Sequence, residues 1–361
     1  MIFNAIYKNC KNPSNGKIPR FFMMVGDQIY ADTLNRAIPL ARADTEKEFH
    51  ERYLTAFGAP FTRRVLQNIP TYMILDDHEI EDNWVQSRIK DQSKRALFLM
   101  AITAYMSYQW SHCPRNYGKS LFYSFEYAGF PFFVLDGRTQ RIQNGASEDT
   151  ILEDNHILGY PAKSTLSPTG KVYKGQIDIV CDWLIQQQKV LGNRPKFVVS
   201  ASVFVPNTVA SARTKKDKIA DDSWAAFPTT RKTLLKTIVD NKIQNVIFLS
   251  GDIHCSNVAE MSFYDQGTLM DLKAFSITSS AFYWPFPFAD GNPLDYVHDS
   301  QEEKDGFDLD DNIVMHYKSW NFQQDDNYTQ VNVDLNSNTI EIESFNKKGM
   351  GLDKSIFTLA T

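Results

Sequence analysis

The 361-residue sequence has no apolar run near the ~18–20 residues that cross a bilayer, so no spanning helix is expected. It has no basic surplus: Lys+Arg number 38 against 43 Asp+Glu, a formal net charge of −5. That balance argues against a nucleic-acid scaffold role. Cysteine is scarce, with only Cys10, Cys113, Cys181 and Cys255 and no C-x-x-C pair. This excludes a disulfide framework and a structural zinc knuckle; reduced thiols are expected, with Cys255 beside a candidate site. Met1 to Lys11 shows no Arg-rich start, apolar h-region or small-residue cleavage site, so no secretory signal is visible. Repeats and low-complexity tracts are lacking too. What is present, 43% hydrophobic and 22% charged residues, is enough to bury a large core.

Five short apolar runs read as strands: 21–25, 71–75, 132–135, 197–200 and 246–249. They lack in/out alternation, which suits strands covered on both faces. Helical patterns lie between them. Thr45-Glu46-Lys47-Glu48 has capping-box form and leads into Phe49, Tyr53, Leu54 and Phe57, with Gly58 as a stop. Ala96 to Trp110, Ile177 to Leu191 (closed by Gly192) and Thr230 to Val239 are further helices, and Met1 to Lys11 reads as the tail of another. Alternation of strand and helix predicts a layered α/β fold, taken as one domain over 1–361. Past Lys273, Ala274 to Thr278, Asn332 to Leu335 and Ile340 to Phe345 read as strands, the last two as a hairpin. The run Arg213 to Lys218 reads as a solvated loop. The aromatic stretch Phe282 to Phe288 reads either as a wall of the site or as a lid over the core, with Trp320-Asn321-Phe322 packed near it.

Three of the apolar runs end in acids or imidazoles: Gly26-Asp27-Gln28-Ile29-Tyr30-Ala31-Asp32, Asp76-Asp77-His78-Glu79 through Asp82-Asn83-Trp84, and Ser250-Gly251-Asp252-Ile253-His254-Cys255-Ser256. Ligand sites in open α/β sheets form outside the carboxyl ends of strands. Three distant segments can therefore bring Asp27, Asp77, His78, Asp252 and His254 together. Taken singly, each segment also fits a strand-end turn or a helix start whose acids complement the dipole. Clustered carboxylates repel and resist desolvation unless a cation neutralises them. Oxygen-rich ligands with some imidazole suit Fe, Mn, Ca or mixed metal sites better than structural zinc. Two such ions can clamp a phosphoryl group and activate water, and His78 is then expected either to protonate the leaving group or to stabilise the transition state.

These three segments, with Leu135-Asp136-Gly137-Arg138 and Thr278-Ser279-Ser280, resemble the alkaline phosphatase D (PhoD-like) family of the calcineurin-like metallophosphatase superfamily. The resemblance implies a four-layer αββα sandwich, two sheets between helices, with a multinuclear metal site at the strand ends. By motif, Asp27 resembles a metal-bridging ligand, Tyr30 a phenolate ligand to iron, and Asp77 a second-metal ligand. His78 resembles the catalytic histidine, and Asp252 and His254 resemble ligands of the closing motif. Asn83 resembles a further metal ligand or an orienting hydrogen-bond donor. Arg138 is either a contact to substrate phosphate or a structural pair with Asp136. The implied cofactors are divalent or trivalent ions, Fe with Ca, or Mn or Zn. The implied reaction is hydrolysis of a small-molecule, lipid or nucleotide phosphate ester, mono- or diester, by a metal-bound hydroxide. The family also has an earlier strand ending in Ser-Cys, whose thiolate binds iron. Cys10 sits in a helix-to-turn stretch, so the expectation is an N-terminally incomplete version, with that first strand and one ligand missing. A non-catalytic metal-binding protein is the competing expectation, and a metallohydrolase of carboxylic esters or amides another.

Overall fold

The computed structural model describes residues 2–32, 42–145, 147, 149–162, 174–280 and 291–361. Its helices are α1 (Ile2–Lys11), α2 (Glu46–Gly58), α3 (Pro60–Asn68), α4 (Gln92–Tyr108), α5 (Gln176–Leu191), α6 (Val209–Arg213), α7 (Lys215–Ala220) and α8 (Pro228–Asp240). The strands are β1 (Phe22–Met24), β2 (Thr71–Met73), β3 (Tyr123–Tyr127), β4 (Phe130–Val134), β5 (Lys196–Val199), β6 (Val246–Ser250), β7 (Ser256–Asp265), β8 (Thr268–Leu269), β9 (Ala274–Thr278), β10 (Phe307–Asp308), β11 (Ile313–Gln323), β12 (Asn327–Asp334), β13 (Thr339–Asn346) and β14 (Gly351–Thr358).

Nine strands form one sheet in the order β10-β11-β7-β9-β6-β5-β4-β3, with β8 paired to β7. Its centre, β4 to β5 to β6 to β9, is parallel. A parallel pair β1-β2 and an antiparallel β12-β13-β14 sheet lie on one of its faces. The burial of the central strands explains their uninterrupted apolar sequences. Phe133, Val198, Val246 and Phe248 pack with Ile177, Val180 and Leu184 of α5 and Leu234, Leu235 and Ile238 of α8. Their neighbours Phe132, Val134, Phe197, Val199 and Ile247 enter a second core with Ile74, with Ile340, Ile342 and Phe357 of the small sheets, and with α2 and α4. Outside the small sheet, α1 and α3 pack Ile2, Ala5, Ile6 and Val65 against Tyr328 and Phe345. The layers therefore run helix, large sheet, small sheets, helix: the expected αββα sandwich.

Local signals held where they were strong. Thr45 caps α2 with the full capping box to Glu48. Asp91 caps α4, accepting from the N–H groups of Ser93 and Lys94. The hairpin β12-β13 pairs Asp334 with Thr339. One expectation is corrected: the basic run 213–218 is not a loop. Thr208 and Thr214 each accept a backbone N–H and start the short helices α6 and α7, with the charged side chains left outside. Two successive caps outweigh a local composition that is neutral toward helix. The aromatic stretch 282–288 lies outside the described residues. Downstream, Trp320 packs on Phe357, and Phe322 stacks on His298 and Tyr296. No helix among the described residues is long and apolar enough to cross a membrane.

Candidate metal centre

The carboxyl ends of β1, β2, β4 and β6 point to one place. There the two sheets touch: a Cβ on Gly251, just after β6, would stand 2.5 Å from the Val25 carbonyl just after β1. Gly26 is equally constrained. Its φ is +118°, and a Cβ there would lie 2.6 Å from Asp76 Oδ2. Only glycine lets the Asp76 carboxylate pass this close to the β1 loop. Asp27, Asp252, His254 and Asn83 all have left-handed backbone, with φ of 51°, 74°, 50° and 53°. Such conformations are uncommon outside glycine and persist where the surroundings over-determine them.

The structure brings most of the sequence-predicted residues together. One ligand atom from each of Asp27, Asp77 and His78 lies within 4.8 Å of the others, as do atoms of Asp27, Asp76, Asp77 and Asp252. Tyr30 joins from the same loop as Asp27, its hydroxyl donating to Asp27 Oδ2 at 3.4 Å and standing 3.2 Å from His254 Nε2. The backbone N–H of His254 in turn donates to Ser280 Oγ at 2.9 Å, so the Thr278-Ser279-Ser280 segment fixes the closing motif.

Asn83 and Arg138 make contacts that the sequence did not specify. The Asn83 side chain turns to Asp82 Oδ1 at 3.0 Å, and it is the Asn83 backbone N–H that reaches the cluster, donating to Asp77 Oδ2 at 2.6 Å. Arg138 is not paired with Asp136 through its guanidinium, and it is not open to a substrate. Its side chain is 0% exposed, with Nε on Asp76 Oδ1 at 2.5 Å and Nη1 and Nη2 forked onto Asp222 at 2.9 and 2.6 Å. Nη2 also stands 3.3 Å from Asp77 and 3.9 Å from Asp252. Several acids share it because it is a buried cation between them. Asp136 instead accepts from the backbone N–H groups of Arg138 and Thr139. Cys255 is buried, and desolvation pushes its thiol up to about 12, far from a reactive thiolate.

Residues that the sequence reading passed over hold the site in shape. Asp32 accepts from His78 Nδ1 at 2.8 Å and from the Asp82 N–H at 2.6 Å, which fixes the imidazole ring. Glu79, fully buried, accepts from the N–H groups of Gln28 at 2.6 Å and Asp76 at 2.9 Å, and from Gln109 Nε2 at 3.0 Å. One carboxylate thus ties the β1 loop to the β2 loop. Asp32, Asp76 and Glu79 stood inside the quoted motifs and could have been found there. Asp222 had no local signal in Asp221-Asp222-Ser223.

The electrostatics follow from burial and crowding. Desolvation, with Asp76 and Asp77 nearby, holds Asp27 well above the usual carboxylate range despite His78. Burial likewise raises Asp76 to about 6 and Glu79 to about 7. Desolvation, Asp222 and Asp76 raise Asp252. Asp77 goes the other way: burial is outweighed by Arg138, His78 and the Asn83 N–H, which bring it to about 2. His78 is lifted to about 11, since Asp27, Asp32 and Asp77 overcome its desolvation. Asp27 Oδ1, Asp76 Oδ2 and Asp77 Oδ1 are buried with no hydrogen-bond partner. Buried, unpartnered carboxylate oxygens are costly, and a hard cation is the partner that fits this donor set.

Acids and an imidazole gathered at the strand ends of an αββα sandwich define a metallophosphatase-like architecture. In agreement, the fold is similar to that reported as the structure of PhoD, with a TM-score of 0.58 at 16% identity, covering 98% of this chain and 68% of that one. It is also similar to purple acid phosphatase PPD1 from yellow lupin (Lupinus luteus) seeds, with a TM-score of 0.51 at 12% identity, covering 99% and 48%. The sequence matches the model of the PhoD-like phosphatases over residues 3–343, and the chain belongs to that family. A curated relative, alkaline phosphatase D of Bacillus subtilis (strain 168), is 25% identical over 197 residues; the match covers 52% of this chain and 31% of that protein.

Proposed function

We propose that the chain hydrolyses phosphoric esters at a metal centre held by Asp27, Asp77 and Asp252 with Tyr30 and His254. The observation that carries this reading is the convergence of ligand atoms from three distant strand ends within 4.8 Å. Family membership and the unpartnered oxygens of Asp27 and Asp77 support it. An oxygen-rich set with a phenol and an imidazole suits iron with calcium, or manganese or zinc. Ions held there would supply Lewis acidity toward the phosphoryl oxygens and lower the pKa of water.

The chain's own groups do the rest. His78, its Nδ1 held by Asp32, carries the proton that the departing ester oxygen requires. Tyr30 packs on the His78 ring at 4.4 Å between centroids and limits its rotation. Arg138 lies buried behind Asp76 and Asp77, so its guanidinium meets these acids rather than substrate. Monoesters and diesters are both within the reading, from small-molecule, lipid or nucleotide sources.

Side-by-side assays of nitrophenyl phosphate, bis-nitrophenyl phosphate and nitrophenyl acetate test it. Turnover of one or both phosphates with little acetate hydrolysis is expected. Turnover of the acetate alone would assign a carboxylic-ester hydrolase. Bound metal without turnover of any of the three would assign a non-catalytic metal-binding protein.

A further inference from the structure

Asp222 belongs to none of the motifs, yet its carboxylate lies against the back of the acidic cluster. It forms a two-point fork with the Arg138 guanidinium at 2.9 and 2.6 Å and also accepts from Arg141 Nη1. Both arginine side chains are 0% exposed. Arg141 is anchored on its other sides by the Gly137 carbonyl at 2.8 Å and Ser202 Oγ at 2.5 Å. Asp222 is itself held firmly. Trp224, two residues on, is fully buried, donates from its backbone N–H to the Val203 carbonyl, and donates from its indole to Ser200 Oγ. On the preceding side, Gln143 Nε2 donates to the carbonyls of Ile219 and Asp221.

Two buried guanidiniums therefore stand beside the cluster of Asp27, Asp76, Asp77 and Asp252, of which Asp27, Asp77 and Asp252 must stay available to cations. A guanidinium matches a carboxylate in two-point geometry and competes directly with a metal for it. Only Nε of Arg138 hydrogen-bonds to the cluster, through Asp76, while its terminal nitrogens hydrogen-bond to Asp222 and Nη2 stays at ion-pair distance, 3.3 Å from Asp77 and 3.9 Å from Asp252. Asp77 Oδ1 and Asp27 Oδ1 are left without hydrogen-bond partners.

We propose that Asp222 is a positioning residue of the metal centre: it clamps Arg138 in a fork and offsets Arg141, which keeps both cations from occupying the carboxylates that bind metal. The proposal rests on the metal-centre reading above. It implies that cation affinity depends on a carboxylate that touches no metal. Partners that orient metal-ligating carboxylates typically contribute ~10–100-fold in affinity.

The test is calorimetric titration of the metal-stripped chain with Mn²⁺ and, separately, Ca²⁺. Wild type is compared with Asp222→Asn, Arg138→Gln and Asp27→Asn, with melting temperatures recorded to show that each variant is folded. Asp222→Asn is expected to bind ~10–100-fold more weakly. Arg138→Gln removes the competing cation and is expected to bind as tightly as wild type or more tightly. A purely structural role would weaken both variants together. The proposal is overturned if Asp222→Asn titrates like wild type while Asp27→Asn loses binding, in which case the metal reading stands. It is equally overturned if Arg138→Gln weakens binding tenfold, a result that remains decisive should Asp222→Asn fail to fold. If wild type takes up neither ion, both the metal reading and the role of Asp222 fall.

Discussion

His78→Ala is expected to lower kcat for nitrophenyl phosphate by ~10²–10⁴-fold, the usual contribution of a positioned acid or base. The geometry supplies the reason. Asp32 takes Nδ1 at 2.8 Å, so the ring is oriented by a carboxylate that is itself pinned by the Asp82 N–H. Asp27, Asp32 and Asp77 lift the imidazole to about 11 in the metal-free protein, and cations bound beside it would lower that value toward the working range. The loss is expected in kcat with the bound metal content unchanged, because the proposal gives proton transfer to His78 and the ions to the carboxylates. Steady-state kinetics with elemental analysis of the same samples checks this. A variant within a few-fold of wild type would remove His78 from the acid role.

Stripping metal from the protein is expected to make its stability fall as pH rises. Asp76 and Glu79 titrate at about 6 and about 7, above their ordinary values, because burial disfavours their charged forms. Between pH ~4 and 7 the folded state therefore binds more protons than the unfolded one, and stability decreases as pH increases. Asp27 and Asp252 are shifted the same way. His78 adds to the trend: its folded value of about 11 gives stability that is full below its ordinary value of 6.5 and is lost toward pH 11. Asp77, lowered to about 2, acts oppositely, but only below its ordinary value of 3.8. Each pH unit by which a carboxyl's titration is displaced is worth about 1.4 kcal/mol. Melting curves of the chelator-treated protein from pH 5 to 9 should drop steadily, and restoring Mn²⁺ or Ca²⁺ should flatten the slope. A metal-free protein equally stable at both ends of that range would contradict the crowding of buried acids.

Those shifts also show what the amino-acid sequence could and could not disclose. The central strands were legible because sheet burial on both faces demands unbroken apolar runs, as in Phe130–Val134 and Val246–Ser250. Long strands such as Ile313–Gln323 and Ser256–Asp265 were not, because each mixes polar with apolar residues along its length. Asp27, Asp77, His78, Asp252 and His254 were legible because strand-end motifs carry them on three short segments. The roles of Arg138 and Asn83 were not, since these depend on which neighbour wins the hydrogen bond. Arg138 sits among Asp76, Asp77 and Asp222, and only their positions in space decide that its guanidinium is buried among these acids. Asp222 lies in a chain segment that meets the site through folding alone.

The most direct test of the central claim is elemental analysis of the purified chain beside its Asp27→Asn variant. The account predicts stoichiometric bound metal in wild type and a clear loss in the variant, with melting temperatures confirming that both are folded. Unchanged metal content on loss of the Asp27 carboxylate, or phosphate-ester turnover by a chain free of metal, would contradict it.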